Sequence, residues 1–182
     1  MNPKYQDILY EEIMSICPED DIDVTYDHIR QMPYLEMVLN ETMRLISTVA
    51  LVGRKLRKDM ILKDGLFLAE GTNIVLDLFH LHRSKKIWGP NVMEFNPDNF
   101  LSTNMKNKNP YSFIPFTKGI RNCVGWRYAM FSMQILLVHI IKEYEIKTKW
   151  KLDDLHYKMK ITIAYHNNPE IEFLYRNKNL TK

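Results

Sequence analysis

A ten-residue run, FTKGIRNCVG at 116–125, constrains this chain more tightly than any other feature of its 182 residues. It sets Phe116, Gly119, Arg121, Cys123 and Gly125 at fixed spacing, directly ahead of the longest apolar stretch, Val124 to Ile141. That stretch is about the length of a membrane span. Arg127, Gln134 and His139 interrupt it, so it reads as a helix buried within protein, with His139 as a satisfied core residue. A cysteine at a helix N-terminus has its thiolate stabilised by free backbone N–H groups and the positive end of the dipole, and Arg121 adds a cation. Gly119 and Gly125 permit backbone conformations or a close approach that a Cβ would block. An aromatic seven residues before the thiol shields it from water. Together these are the requirements of a soft, electron-rich thiolate ligand held against a flat cofactor.

The competing reading is an inert buried cysteine in a glycine-containing turn, the usual state of a free Cys. Average residue frequencies give this five-position pattern by chance on the order of once in ten thousand chains of this length. The inert reading fails on that margin. Only Cys17 and Cys123 are present, which excludes a disulfide-stapled scaffold. Cys17, near a helix end in SICPED, reads as a partly buried structural residue. His80 and His82 stand two apart with no Cys or carboxylate cluster nearby, which argues against zinc.

The remaining pattern is that of one domain. Pro3 opens a helical period that ends before Pro18, Thr25 is a candidate N-cap for Tyr26 to Met32, and Pro33 opens an amphipathic helix over roughly Tyr34 to Ile46. After Ser47 the segments 49–56, 60–62, 66–69 and 73–77 are β-prone, with Asp64-Gly65 and Glu70-Gly71 as turns. Residues 78–88 read as one short helix, 89–118 as a long irregular segment, and about Val124 to Tyr144 as a helix. Further β-prone pieces lie near 144–148, 160–165 and 170–175. A hydrophobic fraction of 46% supports a packed core, and a net charge of +3 is too balanced to point to nucleic acid.

FTKGIRNCVG resembles the Phe-x-x-Gly-x-Arg-x-Cys-x-Gly loop of the cytochrome P-450 family, the haem-thiolate monooxygenases. ETMR (41–44) resembles that family's Glu-x-x-Arg pair on its K helix, FNPDNF (95–100) its Phe-x-Pro-x-Arg-Phe segment, and HLHRSKKIW (80–88) its His-Arg…Trp stretch. The likeness runs from PKYQDILYEEI (3–13), similar to the J helix, to the C-terminal strands, and is nearest to insect microsomal members. Two departures stand out. Asn99 replaces the arginine that completes a Glu-Arg-Arg triad, and Ser47 replaces the usual proline at the end of the K helix.

The resemblance implies an α+β, mainly α fold, the C-terminal part of the P-450 fold. Residues 1–182 would form a single partial domain of J, K and L helices, short sheets, meander and cysteine loop. It makes Cys123 the axial ligand of haem iron, Arg121 and Arg54 propionate partners, and Phe116 the aromatic near sulfur. Glu41, Arg44 and Asn99 become a structural lock. It implies an apolar small-molecule substrate, an NADPH-dependent reductase as electron donor, and Lys85, Lys86, Lys118 and Arg127 as part of a docking face. The implied location is the cytosolic face of the endoplasmic reticulum membrane, through segments outside this sequence. The chain corresponds to the C-terminal two-fifths or so of such an enzyme, and the family's oxygen-side motif (Ala/Gly-Gly-x-Asp/Glu-Thr-Thr/Ser) does not occur in it. A truncated, non-catalytic remnant and a haem- or partner-binding fragment are therefore the alternatives to the monooxygenase.

Overall fold

The computed structural model describes residues 2–19, 23–159 and 162–176. Three helices lead the chain: α1 (Pro3–Ile16), α2 (Tyr26–Arg30) and α3 (Pro33–Leu45). Each start follows local chemistry. Pro3 and Pro33 occupy first-turn positions, where a missing N–H costs nothing. Thr25 caps α2, its hydroxyl accepting from the His28 N–H while His28 Nδ1 accepts from the Thr25 N–H. Met32 has no side-chain acceptor with which to cap α3. Glu12 of α1 serves instead, its two carboxylate oxygens accepting the Tyr34 and Leu35 N–H groups at 2.8 Å each. Burial nevertheless holds the Glu12 carboxyl above the usual carboxylate range, outweighing those two hydrogen bonds.

Among the described residues, four two-stranded antiparallel sheets follow. Strands β1 (Leu51–Lys55) and β4 (Asn73–Asp77) pair with Arg54 opposite Ile74, enclosing the hairpin of β2 (Met60–Ile61) and β3 (Phe67–Leu68). Gly65 and Gly71 turn the chain there at φ +87° and +82°, conformations that penalise a Cβ. Residues 78–88 form two helices rather than the single one expected, α4 (Leu78–Leu81) and α5 (Lys85–Trp88). Ser84 between them has extended backbone and begins the second. The irregular segment holds a 3₁₀ turn (Pro97–Phe100) and a short helix, α6 (Ser102–Met105).

The long helix is α7 (Trp126–Glu143), followed by β5 (Tyr144–Lys147), a 3₁₀ turn (Leu152–Asp154), β6 (Tyr157–Met159), β7 (Ile163–Tyr165) and β8 (Glu172–Tyr175). Strand β5 pairs with β8, and β6, not expected from sequence, pairs with β7. On the other side of β5, the Gln6 amide accepts from the Ile146 N–H at 2.8 Å and donates to its carbonyl at 3.4 Å.

Leu9, Ile13, Cys17, Ile29, Met32, Leu35, Val138 and Ile141 form the core, so α7 is held against α1, α2 and α3. Its buried residues are Gln134, Val138 and Ile141, spaced four and three along one side. The other side is open. Tyr128 and Leu136 are exposed, as expected of a helix that the rest of this chain covers only in part, and so is His139, which corrects the expectation of a core histidine. Cys17 is fully rather than partly buried, and burial raises its thiol pKa although Lys142 opposes the shift. Among the described residues no helix is long and apolar enough to cross a membrane.

Candidate functional site: the cysteine loop and the ion pair behind it

Behind the loop lies a buried ion pair. Glu41 and Arg44, one turn apart on α3, meet through Oε2 to Nε and Oε1 to Nη2, both at 2.7 Å, and neither side chain is exposed. Removing two charges from water is offset only when the geometry is good and additional hydrogen bonds satisfy the pair. Both conditions hold here. Glu41 Oε1 also accepts the Asn96 N–H at 2.8 Å and the Asn99 amide at 3.2 Å. Arg44 Nη1 donates to the carbonyls of Val92 at 2.7 Å and His82 at 3.1 Å, and Nη2 to that of Glu94 at 3.3 Å. The pair thus gathers residues 82, 92–96 and 99 onto one helix. Trp88 lies beneath the guanidinium, 5.2 Å from ring centroid to carbon.

The loop itself is closed by its backbone. The Cys123 N–H donates to the Phe116 carbonyl at 2.9 Å, the Thr117 N–H to the Ile114 carbonyl at 2.9 Å, and the Asn122 N–H to the Gly119 carbonyl at 3.1 Å. Gly119 sits at φ +90°, where a side chain would be strained. Gly125 does not need that freedom: at φ −89° it stands at the N-cap of α7, with open space where a Cβ would lie. Thr117, at φ +60°, is the one non-glycine residue with positive φ among the described residues. Its hydroxyl donates to the Arg121 carbonyl at 3.3 Å.

Arg54, 67 positions earlier on β1, reaches the same carbonyl with Nη2 at 3.2 Å while Nη1 returns to the Gly53 carbonyl at 2.9 Å. The fold therefore brings Arg54, Arg121 and the Cys123 loop together. Cys123 is exposed, two residues before the N-cap, and Ile120 and Val124 are wholly exposed on either side of it. Phe116 is half-buried and lines a cleft with Phe113, Pro115, Trp126 and Phe131. Arg127 and Lys118 are exposed, their cations over the Trp126 and Tyr111 rings at 5.2 and 5.0 Å. Lys85 and Lys86 are exposed on α5.

The two histidines of HLH do not converge. His80 is exposed and paired with Asp77 at 2.6 Å, whereas His82 is buried, with one ring nitrogen 3.1 Å from the Ser47 hydroxyl and the other accepting the Ile114 N–H at 3.1 Å. Sequence reasoning missed this contact. Its one available signal was Ser47, the departure from proline, whose hydroxyl is what His82 meets.

The cytochrome P-450 family model matches residues 1–169. Probable cytochrome P-450 313a4 of Drosophila melanogaster is 44% identical over 173 residues, 94% of this chain and 35% of that protein. Probable cytochrome P-450 313a3 of the same organism is 37% identical, over 95% and 35%. Cytochrome P-450 3A12 of Canis lupus familiaris is 38% identical over 146 residues, 80% of this chain and 28% of that protein. The chain spans about a third of the length of the relatives it matches. With the family model matching residues 1–169 and relatives 37–44% identical over nearly its whole length, this chain belongs to the cytochrome P-450 family.

Proposed function

We propose that residues 1–182 form the haem-holding, C-terminal part of a haem-thiolate monooxygenase acting on an apolar organic substrate. Cytochrome P-450 proteins bind haem and are oxidoreductases. The observation that carries the reading for this chain is the exposed Cys123 thiol, flanked by the uncovered apolar side chains of Ile120 and Val124. Open space beside Gly119 and Gly125 leaves that surface free of steric obstruction. An apolar, planar macrocycle bearing carboxylates suits this surface: a thiolate for iron, apolar flanks for the ring, and the Arg54 and Arg121 cations for the carboxylates.

When bound, haem supplies the redox-active iron on which dioxygen chemistry depends. The protein's share is positional. Cys123 would supply the thiolate ligand, Arg54 and Arg121 would pair with the carboxylates, and Phe116 would pack on the sulfur side of the loop. Glu41, Arg44 and Asn99 fix the segment that carries the loop. Exposed Lys85, Lys86, Lys118 and Arg127 belong to the surface proposed to receive an NADPH-dependent reductase. Location at the cytosolic face of the endoplasmic reticulum is proposed from the family alone.

The test is spectroscopic. Purified chain mixed with haem, reduced and exposed to carbon monoxide should give the red-shifted Soret band of a thiolate-ligated haem, and Cys123→Ser should abolish it. Absence of that band in the unsubstituted chain would favour the non-catalytic remnant.

A further inference from the structure

His82 is fully buried, and both of its ring nitrogens are engaged. Nε2 accepts the backbone N–H of Ile114 at 3.1 Å, so that nitrogen carries no proton. Nδ1 must then carry it, and it faces the Ser47 hydroxyl at 3.1 Å. The Ser47 hydroxyl oxygen accepts the hydrogen bond from Nδ1–H, and its O–H donates to the Met43 carbonyl at 3.3 Å. The chain of donors is complete: His82 to Ser47 to the last turn of α3. Burial and the nearby Arg44 and Arg83 cations hold the imidazole neutral, its pKa lowered to about 4. The ring packs on Phe113 at 5.2 Å between centroids, and the His82 carbonyl accepts from Arg44 at 3.1 Å.

The segment on the other side of this imidazole leads to the cysteine. Ile114, held by its N–H, offers its carbonyl to the Thr117 N–H at 2.9 Å. That turn contains Thr117 in its left-handed conformation, an arrangement a β-branched residue adopts only under outside constraint. The same turn presents the Phe116 carbonyl to the Cys123 N–H at 2.9 Å. Three consecutive hydrogen-bonded steps thus separate His82 from the backbone of Cys123.

We propose that His82 is a positioning residue for the cysteine loop: its neutral imidazole, seated between Ser47 and Ile114, fixes the 114–117 turn against the end of α3 and so sets where Cys123 stands. The Glu41–Arg44 pair anchors the segment from behind, and His82 connects that anchor to the loop. The consequence for haem rests on the reading of Cys123 given above; the positional claim does not.

Amide hydrogen exchange on the 15N-labelled 182-residue chain tests it. His82→Asn keeps a donor for Ser47 but is too short to reach Ile114, whereas His82→Gln restores an acceptor near the Nε2 position. The asparagine variant should accelerate exchange at Ile114, Thr117 and Cys123 by roughly tenfold, the loss of one buried hydrogen bond, and leave the core amides of α1 and α3 unchanged. The glutamine variant should restore protection at all three. After loading with haem and treatment with carbon monoxide, the asparagine variant should also convert part of the thiolate-type Soret band to the unshifted form. Unchanged exchange at Ile114 in the asparagine variant would overturn the proposal. So would equal acceleration throughout α1 and α3, which would make His82 a general core residue, or failure of glutamine to restore protection. If the unsubstituted chain gives no thiolate band while the amide pattern holds, the haem reading falls and the positioning role stands.

Discussion

Arg44 grips Glu41 from one helical turn away through two 2.7 Å hydrogen bonds, both partners entirely out of solvent. A buried pair of this kind adds little over an apolar replacement of equal shape, but losing one partner strands a charge. Arg44→Ala leaves the Glu41 carboxylate with the Asn96 N–H and the Asn99 amide only, and removes the donor to the Val92 and His82 carbonyls. The expected loss is about 3–5 kcal/mol of stability, read from urea unfolding. Arg44→Lys should recover little, because an ammonium cannot reproduce the two-point contact. A loss below about 1 kcal/mol for the alanine variant would show that the pair does not organise the segment after it.

Asn99 poses the converse question. Its amide donates to Glu41 Oε1 at 3.2 Å, where the family pattern has a second guanidinium. Asn99→Ala should cost about 1 kcal/mol, the net worth of one such bond. Asn99→Arg should raise stability by about 0.5–1 kcal/mol, because a cationic donor adds charge attraction to a hydrogen bond that a neutral amide now makes to the Glu41 carboxylate. Parallel urea titrations of the three proteins decide it. A less stable arginine variant would mean that Arg44 alone already balances Glu41.

Much of this architecture was legible where the signal is local. Pro3, Pro33 and Thr25 mark helix starts because the first turn discriminates among residues by its own unsatisfied N–H groups. Gly65 and Gly71 mark turns because φ above zero excludes most side chains. The turn ahead of α7 was legible too, from Gly119, which sits at positive φ, and from the apolar run after it. What escaped was whatever depends on chain brought from far away. Glu12 caps a helix 22 residues on, a contact that no window of sequence displays. The helix expected over 78–88 breaks after His82, whose ring is tied to Ser47 and Ile114, 35 and 32 positions away. Which side of α7 stays open was not legible either, because an apolar run states that surface is available for burial and not what will cover it.

His82 also makes stability depend on pH in a definite direction. Its pKa falls from the ordinary 6.5 to about 4 in the folded chain, because burial and the Arg44 and Arg83 cations disfavour the imidazolium. Between those values the unfolded chain binds the proton and the folded chain does not, so stability rises with pH across the window. On acidification the contribution starts to disappear near pH 6.5 and is gone below about pH 4, a change on the order of 3 kcal/mol. Glu12, whose carboxyl burial holds above the usual carboxylate range, also takes up a proton on acidification. The difference between the unsubstituted chain and His82→Gln isolates the imidazole. Urea midpoints should fall more steeply with acid for the unsubstituted chain, and parallel curves would refute a neutral buried His82.

The two thiols should separate by reactivity. Cys17 lies in the core with no solvent exposure, and burial raises its pKa, so both access and thiolate fraction are low. Cys123 is exposed beside Arg121. In the folded, haem-free chain iodoacetamide should label Cys123 first and Cys17 roughly a hundredfold more slowly, since the latter waits for the core to open. Haem should then protect Cys123 and leave the Cys17 rate unchanged, because a metal-bound thiolate is no longer a free nucleophile. Substitution separates them again. Cys123→Ser, at an exposed loop position, should abolish the thiolate spectrum with little effect on unfolding. Cys17→Ser should leave the spectrum intact but lower stability by about 1–3 kcal/mol, because it places a hydroxyl without a designed partner among Leu9, Ile13 and Val138. Equal labelling of the two cysteines in the folded chain, with and without haem, would contradict both the burial of Cys17 and the ligand role of Cys123.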